Sequence, residues 1–132
     1  MSAMAAQIHR IRVRYAETDQ MAVAHHGAYV AWLEEARIAW MRSHGLSYRD
    51  IEAGGTLMPV TEVRIEYRRP ARFDDVLEFA TTAAATGPSR VVFSTVISRG
   101  GEQLASAAVT IAAVGKDGRP VRIPDEVKTL FA

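Results

Sequence analysis

The sequence has no cysteine, which removes disulfides, thiolate nucleophiles and cysteine-held zinc or iron–sulfur centres together. It also lacks a dominant charge: 16 Lys and Arg against 15 Asp and Glu leave a formal net charge of +1. Bulk electrostatics therefore give no case for nucleic acid or a membrane surface as a partner, and any basic site must be local. No apolar run approaches the roughly 20 residues that a membrane span requires. The opening Met1-Ser2-Ala3-Met4-Ala5-Ala6 has neither a basic start nor a long apolar stretch, so it does not read as a signal peptide. A cytoplasmic location is the expectation. Phosphate-cradling and dinucleotide glycine patterns are absent, as is the Gly-x-Ser-x-Gly elbow that presents a serine nucleophile.

What is present has the profile of a soluble globular protein. The 132 residues are 48% hydrophobic and 23% charged, and their length suits one domain over 1–132. The chain is organised around Tyr15 to Gly45. There Asp19, His25 and His26 share a short loop that leads into a long helical pattern beginning near Tyr29. Tyr29, Trp32, Leu33, Ala36 and Trp40 recur at helical spacing, with Glu34, Arg37 and Arg42 elsewhere on the circumference. Val30, Ile38 and Met41 widen the apolar surface, which implies a helix covered on more than one side. Gly45 suits the left-handed residue that closes it. Trp32 and Trp40 read as core.

Around this helix the period is that of strands. Ile8 to Tyr15 alternates, with Arg10, Arg12 and Arg14 forming a solvated face. Ser47 to Glu52 predicts a short turn of helix ended by Gly54-Gly55. Leu57 to Arg69 predicts a long strand with Val63, Ile65 and Tyr67 on one face, and Pro70 ends it or marks a bulge. Val76 to Thr86, Val91 to Arg99 and Glu102 to Val114 predict three more, joined by Gly87-Pro88 and the hairpin signal Gly100-Gly101. Ala105, Ala107, Val109, Ile111 and Ala113 make a small-residue face suited to close packing. A final short helix is expected from Ile123-Pro124-Asp125-Glu126. Consecutive hairpins and one buried helix define an α+β fold with a curved antiparallel sheet.

The loop before the long helix is where chemistry concentrates. A helix N-terminus offers unpaired N–H groups and partial positive charge. Such an end can polarise a carbonyl oxygen while a carboxylate works on the carbon. Aspartate is also a common turn-closing residue, so Asp19 has a structural reading as a loop cap. His25, His26 and Asp19 form only a weak metal signal, and no metal is expected. His9 and His44 look incidental, although a cation at His44 would suit the helix end.

Tyr15-x-x-Thr18-Asp19, His26 seven residues later, Tyr29, and the helical Glu34-Glu35-Ala36-Arg37 resemble the 4-hydroxybenzoyl-CoA thioesterase family of hotdog-fold proteins. Tyr67-Arg68-Arg69-Pro70-Ala71-x-x-Asp74-Asp75 is similar to that family's second recognisable segment. The agreement runs from about Ile8 to about Val127. Two departures stand out: Ala22 where the family often has glycine, and Ala28 where it often has a small polar residue or asparagine.

The resemblance implies a bent antiparallel sheet wrapped around one long central helix. It also implies a homodimer or homotetramer with active sites at the dimer interface. Asp19 matches the family's catalytic carboxylate, His26 its loop histidine, and Tyr29 the aromatic that opens the helix. The implied activity is hydrolysis of an acyl-CoA thioester to a free acid and coenzyme A, without metal or redox cofactor. N–H groups around His26 and Gly27 would stabilise the oxyanion. Asp19 would attack the carbonyl or activate a water. Tyr15 and Tyr29 would shape an acyl pocket whose length depends on how Tyr29, Trp32, Met58 and a partner subunit meet. Arg68, Arg69 and Arg72 would meet the coenzyme A phosphates. Glu34 and Glu35 are expected in solvated or interfacial roles. The rival expectation is an acyl-CoA-binding or assembly protein of the same fold without turnover.

Overall fold

The computed structural model describes residues 6–131, and the opening Met1-Ser2-Ala3-Met4-Ala5 lies outside them. Five strands form one antiparallel sheet: β1 (Gln7–Arg12), β2 (Val60–Tyr67), β3 (Val76–Ala85), β4 (Arg90–Arg99) and β5 (Glu102–Ala112). Their spatial order is β1-β3-β4-β5-β2, which leaves β1 and β2 at the two edges. Period-two alternation gives the sheet its inner face. On β4, Val91, Phe93, Thr95 and Ile97 are buried, and on β5, Ala105, Ala107, Val109 and Ile111 are buried beside them. Thr81 and Thr95 put hydroxyls into this face and satisfy each other, Oγ1 to Oγ1, at 3.0 Å.

The inner face packs on one long helix, α1 (His26–Ser43), from which Tyr29, Trp32, Leu33, Ala36, Trp40 and Met41 are buried. Burying a side chain of leucine size contributes about 1.5–3 kcal/mol, so this stripe holds the helix to the sheet. Trp32 meets Phe79 edge-on at 6.1 Å between ring centroids, and Trp40 meets Phe93 at 5.4 Å. The small side chains of β5 face the same core. This is the hotdog arrangement implied by the family resemblance.

The helix closes as its residues dictate. Gly45 takes the left-handed conformation, φ +76°, just past the end. His44 stacks on Trp40 at 3.9 Å and sets Nδ1 2.8 Å from the Trp40 carbonyl oxygen. Ser47 then caps the short α2 (Tyr48–Ala53) by accepting from the Asp50 N–H. A last turn of helix, α3 (Asp125–Lys128), follows Pro124.

Three boundaries differ from the sequence expectation, each for a local reason. The first strand ends at Arg12, and Tyr15–Glu17 curl into a 3-10 turn because the Glu17 carboxylate accepts the Arg14 N–H at 2.8 Å. The long helix starts three residues before Tyr29, because His25 caps it: its Nδ1 accepts the Ala28 N–H at 3.1 Å. The second strand runs only from Val60 to Tyr67. Leu57 pairs singly with Val114, and Pro59 lacks the N–H that would carry the ladder back to it.

Candidate active site

The loop before α1 is held mainly by its own backbone. Asp19 N–H donates to the Val23 carbonyl at 2.9 Å, and Ala22 N–H donates to the Asp19 carbonyl at 3.0 Å. The Asp19 carboxylate caps the same turn, Oδ1 accepting from Met21 N at 2.8 Å and Val23 N at 3.3 Å. Ala22 is left-handed at φ +59°, a conformation that glycine adopts without strain. The loop is also laced to the segment after β2. Ala24 N–H donates to the Ala71 carbonyl, Phe73 N–H donates to the Ala22 carbonyl, and Val23 bridges Arg72. Two sequence motifs some fifty residues apart thus become one structural unit.

The loop delivers the chain to the helix N-terminus. His25 Nδ1 takes the Ala28 N–H, while the His26 and Gly27 N–H groups have no partner among the described residues. A Cβ at Gly27 would meet only the His25 ring, at 3.4 Å, so this glycine is not demanded by local packing. The unpartnered amides and the helix dipole give this end N–H donors and partial positive charge, a setting that favours a negatively charged oxygen.

Beside it lies a cleft of about 230 Å³ lined by Val23, Ala24, His26, Tyr29, Tyr67, Arg68, Arg69 and Pro70. His26 stacks on Tyr67 with centroids 4.8 Å apart, and Tyr29 meets the same tyrosine edge-on at 4.9 Å. Tyr29 is buried, and burial raises its hydroxyl pKa. A hydrogen bond with the Ala71 backbone and the charge of Arg99 work the other way. At neutral pH this hydroxyl is a dipole, not a base.

Arg68 and Arg69 line the cleft, and Arg72 stands outside it. Arg69 Nε lies 3.2 Å from Glu102, while the Arg68 and Arg72 guanidinium groups have no partner among the described residues. The Pro70 turn behind them is braced by Arg99, which donates to Asp75 at 2.6 Å and Glu102 at 2.8 Å.

The structure therefore brings His26, Tyr29, Arg68 and Arg69 to one cleft, with Gly27 next to His26 in the chain but outside the lining, and puts the other expected residues near or apart. Asp19 is on the adjoining loop, exposed, and is not part of the cleft lining. Tyr15 is 75% exposed and packs edge-on against Phe73. Trp32 is buried in the core, and Met58 lines an inner crevice with Trp40 and Tyr48. Arg72 is at the loop bridge, outside the cleft lining. His9 contacts Glu35 at the surface.

Sequence reasoning missed three residues here. His25 caps the helix, although imidazole is not among the usual capping side chains. Tyr67 supplies the ring under His26, and its signal was its place on the apolar face of the second strand. Glu17 is buried and accepts from the Arg14 N–H, the Trp32 indole at 2.8 Å and the Arg14 guanidinium. Burial alone would raise the Glu17 pKa, but these hydrogen bonds prevail and hold it below its ordinary value.

Comparison with known proteins agrees with this geometry. Residues 21–106 match the model of the thioesterase superfamily. The acyl-CoA thioesterase YbgC of Haemophilus influenzae is 30% identical over 124 residues, 92% of this chain and 90% of that protein. YneP of Bacillus subtilis is 42% identical over 65 residues, 49% of this chain, so the match spans about half of that relative's length (47%). Among solved structures, the DHNA-CoA thioesterase from Staphylococcus aureus is 30% identical with a TM-score of 0.85, covering 90% of this chain and 81% of that one. The chain belongs to the thioesterase superfamily. Among the described residues, no helix is long and apolar enough to cross a membrane.

Proposed function

We propose that the chain is an acyl-CoA thioesterase in which the α1 N-terminus binds the thioester carbonyl and Asp19 supplies the attacking group. The observation that carries this reading is the pair of unpartnered amides, His26 and Gly27, at the helix start, where His26 lines the cleft walled by Arg68 and Arg69. The carbonyl oxygen accepts from these N–H groups, which stabilise negative charge as the tetrahedral centre forms. Asp19 either attacks the carbonyl carbon, giving a mixed anhydride that water cleaves, or takes a proton from an attacking water. Coenzyme A leaves as the thiol and the acyl group as the free acid. Arg68 and Arg69, with Arg72 nearby, suit the phosphates of the departing coenzyme.

The working unit is a homodimer joined at the β2 edges. Val60, Val63 and Tyr67 each expose more than a third of their surface along this edge, where backbone groups await pairing. A second copy there covers the apolar stripe and closes the open side of the cleft.

One observation favours a second reading, an acyl-CoA-binding protein without turnover: Asp19 Oδ1 is already engaged as a loop cap. Thiol release from a panel of aromatic and aliphatic acyl-CoAs separates the two. Wild type should release thiol on at least one acyl class, and Asp19→Asn should lose roughly 100- to 10,000-fold in kcat while keeping its fold. Unchanged turnover in that variant would sink the role of Asp19. Binding without release across the panel would favour the second reading.

A further inference from the structure

Arg37 is a charged residue set between Leu33 and Met41 on the buried side of α1, and only 8% of it is exposed. Its Nε has no hydrogen-bond partner among the described residues, and no carboxylate lies within ion-pair distance. Burial lowers its pKa, with the charges of Glu34 and Tyr48 pulling the other way. Burying the guanidinium Nε without a partner is costly, and an apolar side chain of the same volume would hold this part of the fold at least as well. Packing therefore does not account for an arginine here.

Its surroundings suggest a use. Arg37 lines a groove of about 100 Å³ with Val30, Leu33, Glu34, Val60, Val63 and Val109. His26, Val30, Leu33 and Arg37 are spaced i, i+4, i+7 and i+11, so they form a single stripe down the helix. Across from it, Tyr67, Ile65 and Val63 share the helix-facing side of β2, opposite buried Ala105, Ala107 and Val109. A register shift between Val60 and Glu62 returns Val60 to that same side. The stripe and the strand run antiparallel. The His26–Tyr67 cleft marks one end of the seam and the Arg37–Val60 groove the other. Eleven residues of helix make it roughly 16 Å long.

We propose that this seam holds the acyl chain and that Arg37 reads an oxygen acceptor at the chain's far end. The substrate class is then a long acyl-CoA whose distal end carries a hydroxyl, carbonyl or carboxylate. This inference rests on the thioesterase reading above. With the thioester at the helix N-terminus, the chain runs past Val30, Leu33 and Val63, and its last atoms meet the guanidinium. A methyl end would leave the Arg37 Nε without a partner, whereas an oxygen supplies a charge-assisted hydrogen bond. Exposed Glu34 tempers the positive field, so a neutral oxygen suits the site as well as an anionic one.

The test compares dodecanoyl-CoA, ω-hydroxydodecanoyl-CoA and the mono-CoA thioester of dodecanedioic acid in wild type, Arg37→Met and Arg37→Lys. Wild type should favour the oxygen-ended thioesters in kcat/KM by about 10- to 100-fold. Arg37→Met should abolish that ratio and Arg37→Lys retain part of it, with thermal unfolding showing that both variants fold. No preference in wild type, or a preference that survives Arg37→Met, overturns the inference. If wild type releases thiol from none of the three, the hydrolase reading fails for this class. The inference is then decided by calorimetric binding of dodecanedioic acid against dodecanoic acid. Tighter diacid binding that is lost in Arg37→Met sustains it, and equal binding overturns it.

Discussion

His26 and Tyr67 lie ring on ring, 4.8 Å between centroids and 23° between planes, across the seam where the long helix meets an edge strand. The contact fixes the first residue of α1 against β2 and so sets the mouth of the cleft. Tyr67 does this while also holding Tyr29 edge-on, so one half-exposed tyrosine orders both other rings.

Tyr67→Phe should preserve both ring contacts and leave thioester hydrolysis close to wild type. Tyr67→Ala should lower kcat/KM by about tenfold or more while costing about 0.5–1.5 kcal/mol of stability per lost ring pair. Steady-state kinetics beside thermal unfolding would separate the two losses. An alanine variant as active as wild type would show that the stack does not position His26.

Glu17 gives the fold an acid-sensitive element. Its pKa is held below the ordinary 4.5, so the folded chain releases this proton more readily than the unfolded one. Stability from this group is thus complete at neutral pH. It starts to fall as the pH drops to about the unfolded value and is gone below the folded one. Glu17→Gln should cost about 1–3 kcal/mol at pH 7, since the Arg14 and Trp32 donors lose a charged acceptor. The gap between wild type and variant should narrow on acidification through pH 4.5. Denaturant melts at a series of pH values would show it, and a gap that stayed constant would contradict the linkage.

Ala22 carries a cost that glycine would relieve. At φ +59° its Cβ crowds the backbone, a strain of about 1–2 kcal/mol for an L-residue. Ala22→Gly should raise stability by up to about 1 kcal/mol, offset partly by the greater freedom of glycine in the unfolded chain. Ala22→Val should lower it. Chemical denaturation midpoints read both, and a destabilised glycine variant would mean that the methyl group makes contacts outweighing its strain.

Much of this architecture was legible before any coordinates. The alternation in β3, β4 and β5 and the glycine hairpin between the last two located three strands within a residue or two. The apolar period of α1 located its body, and Gly45 its end. Boundaries slipped where side chains, not periodicity, decided them. Glu17 curled the chain early by accepting the Arg14 N–H, and His25 opened the helix early by accepting the Ala28 N–H. In the site, the family motif singled out a loop and a helix end that the fold sets beside a cleft. What it could not reveal was depth. Charge, not angle, set Arg37 among the polar residues: four residues after Leu33 and seven after Val30, it lies on the same side of the helix as buried Leu33 and Met41. Asp19 shows the converse limit: its spacing marked it out, but its exposed position outside the cleft depends on how the turn closes.

The lacing of the Asp19–Ala24 loop to Ala71, Arg72 and Phe73 is built from main-chain N–H and carbonyl groups, which every residue but proline supplies alike. The position of this loop is thereby uncoupled from the identity of the side chains that decorate it. Residues facing the cleft can drift, and with them the ligands that would fit it, while the helix N-terminus stays where it is.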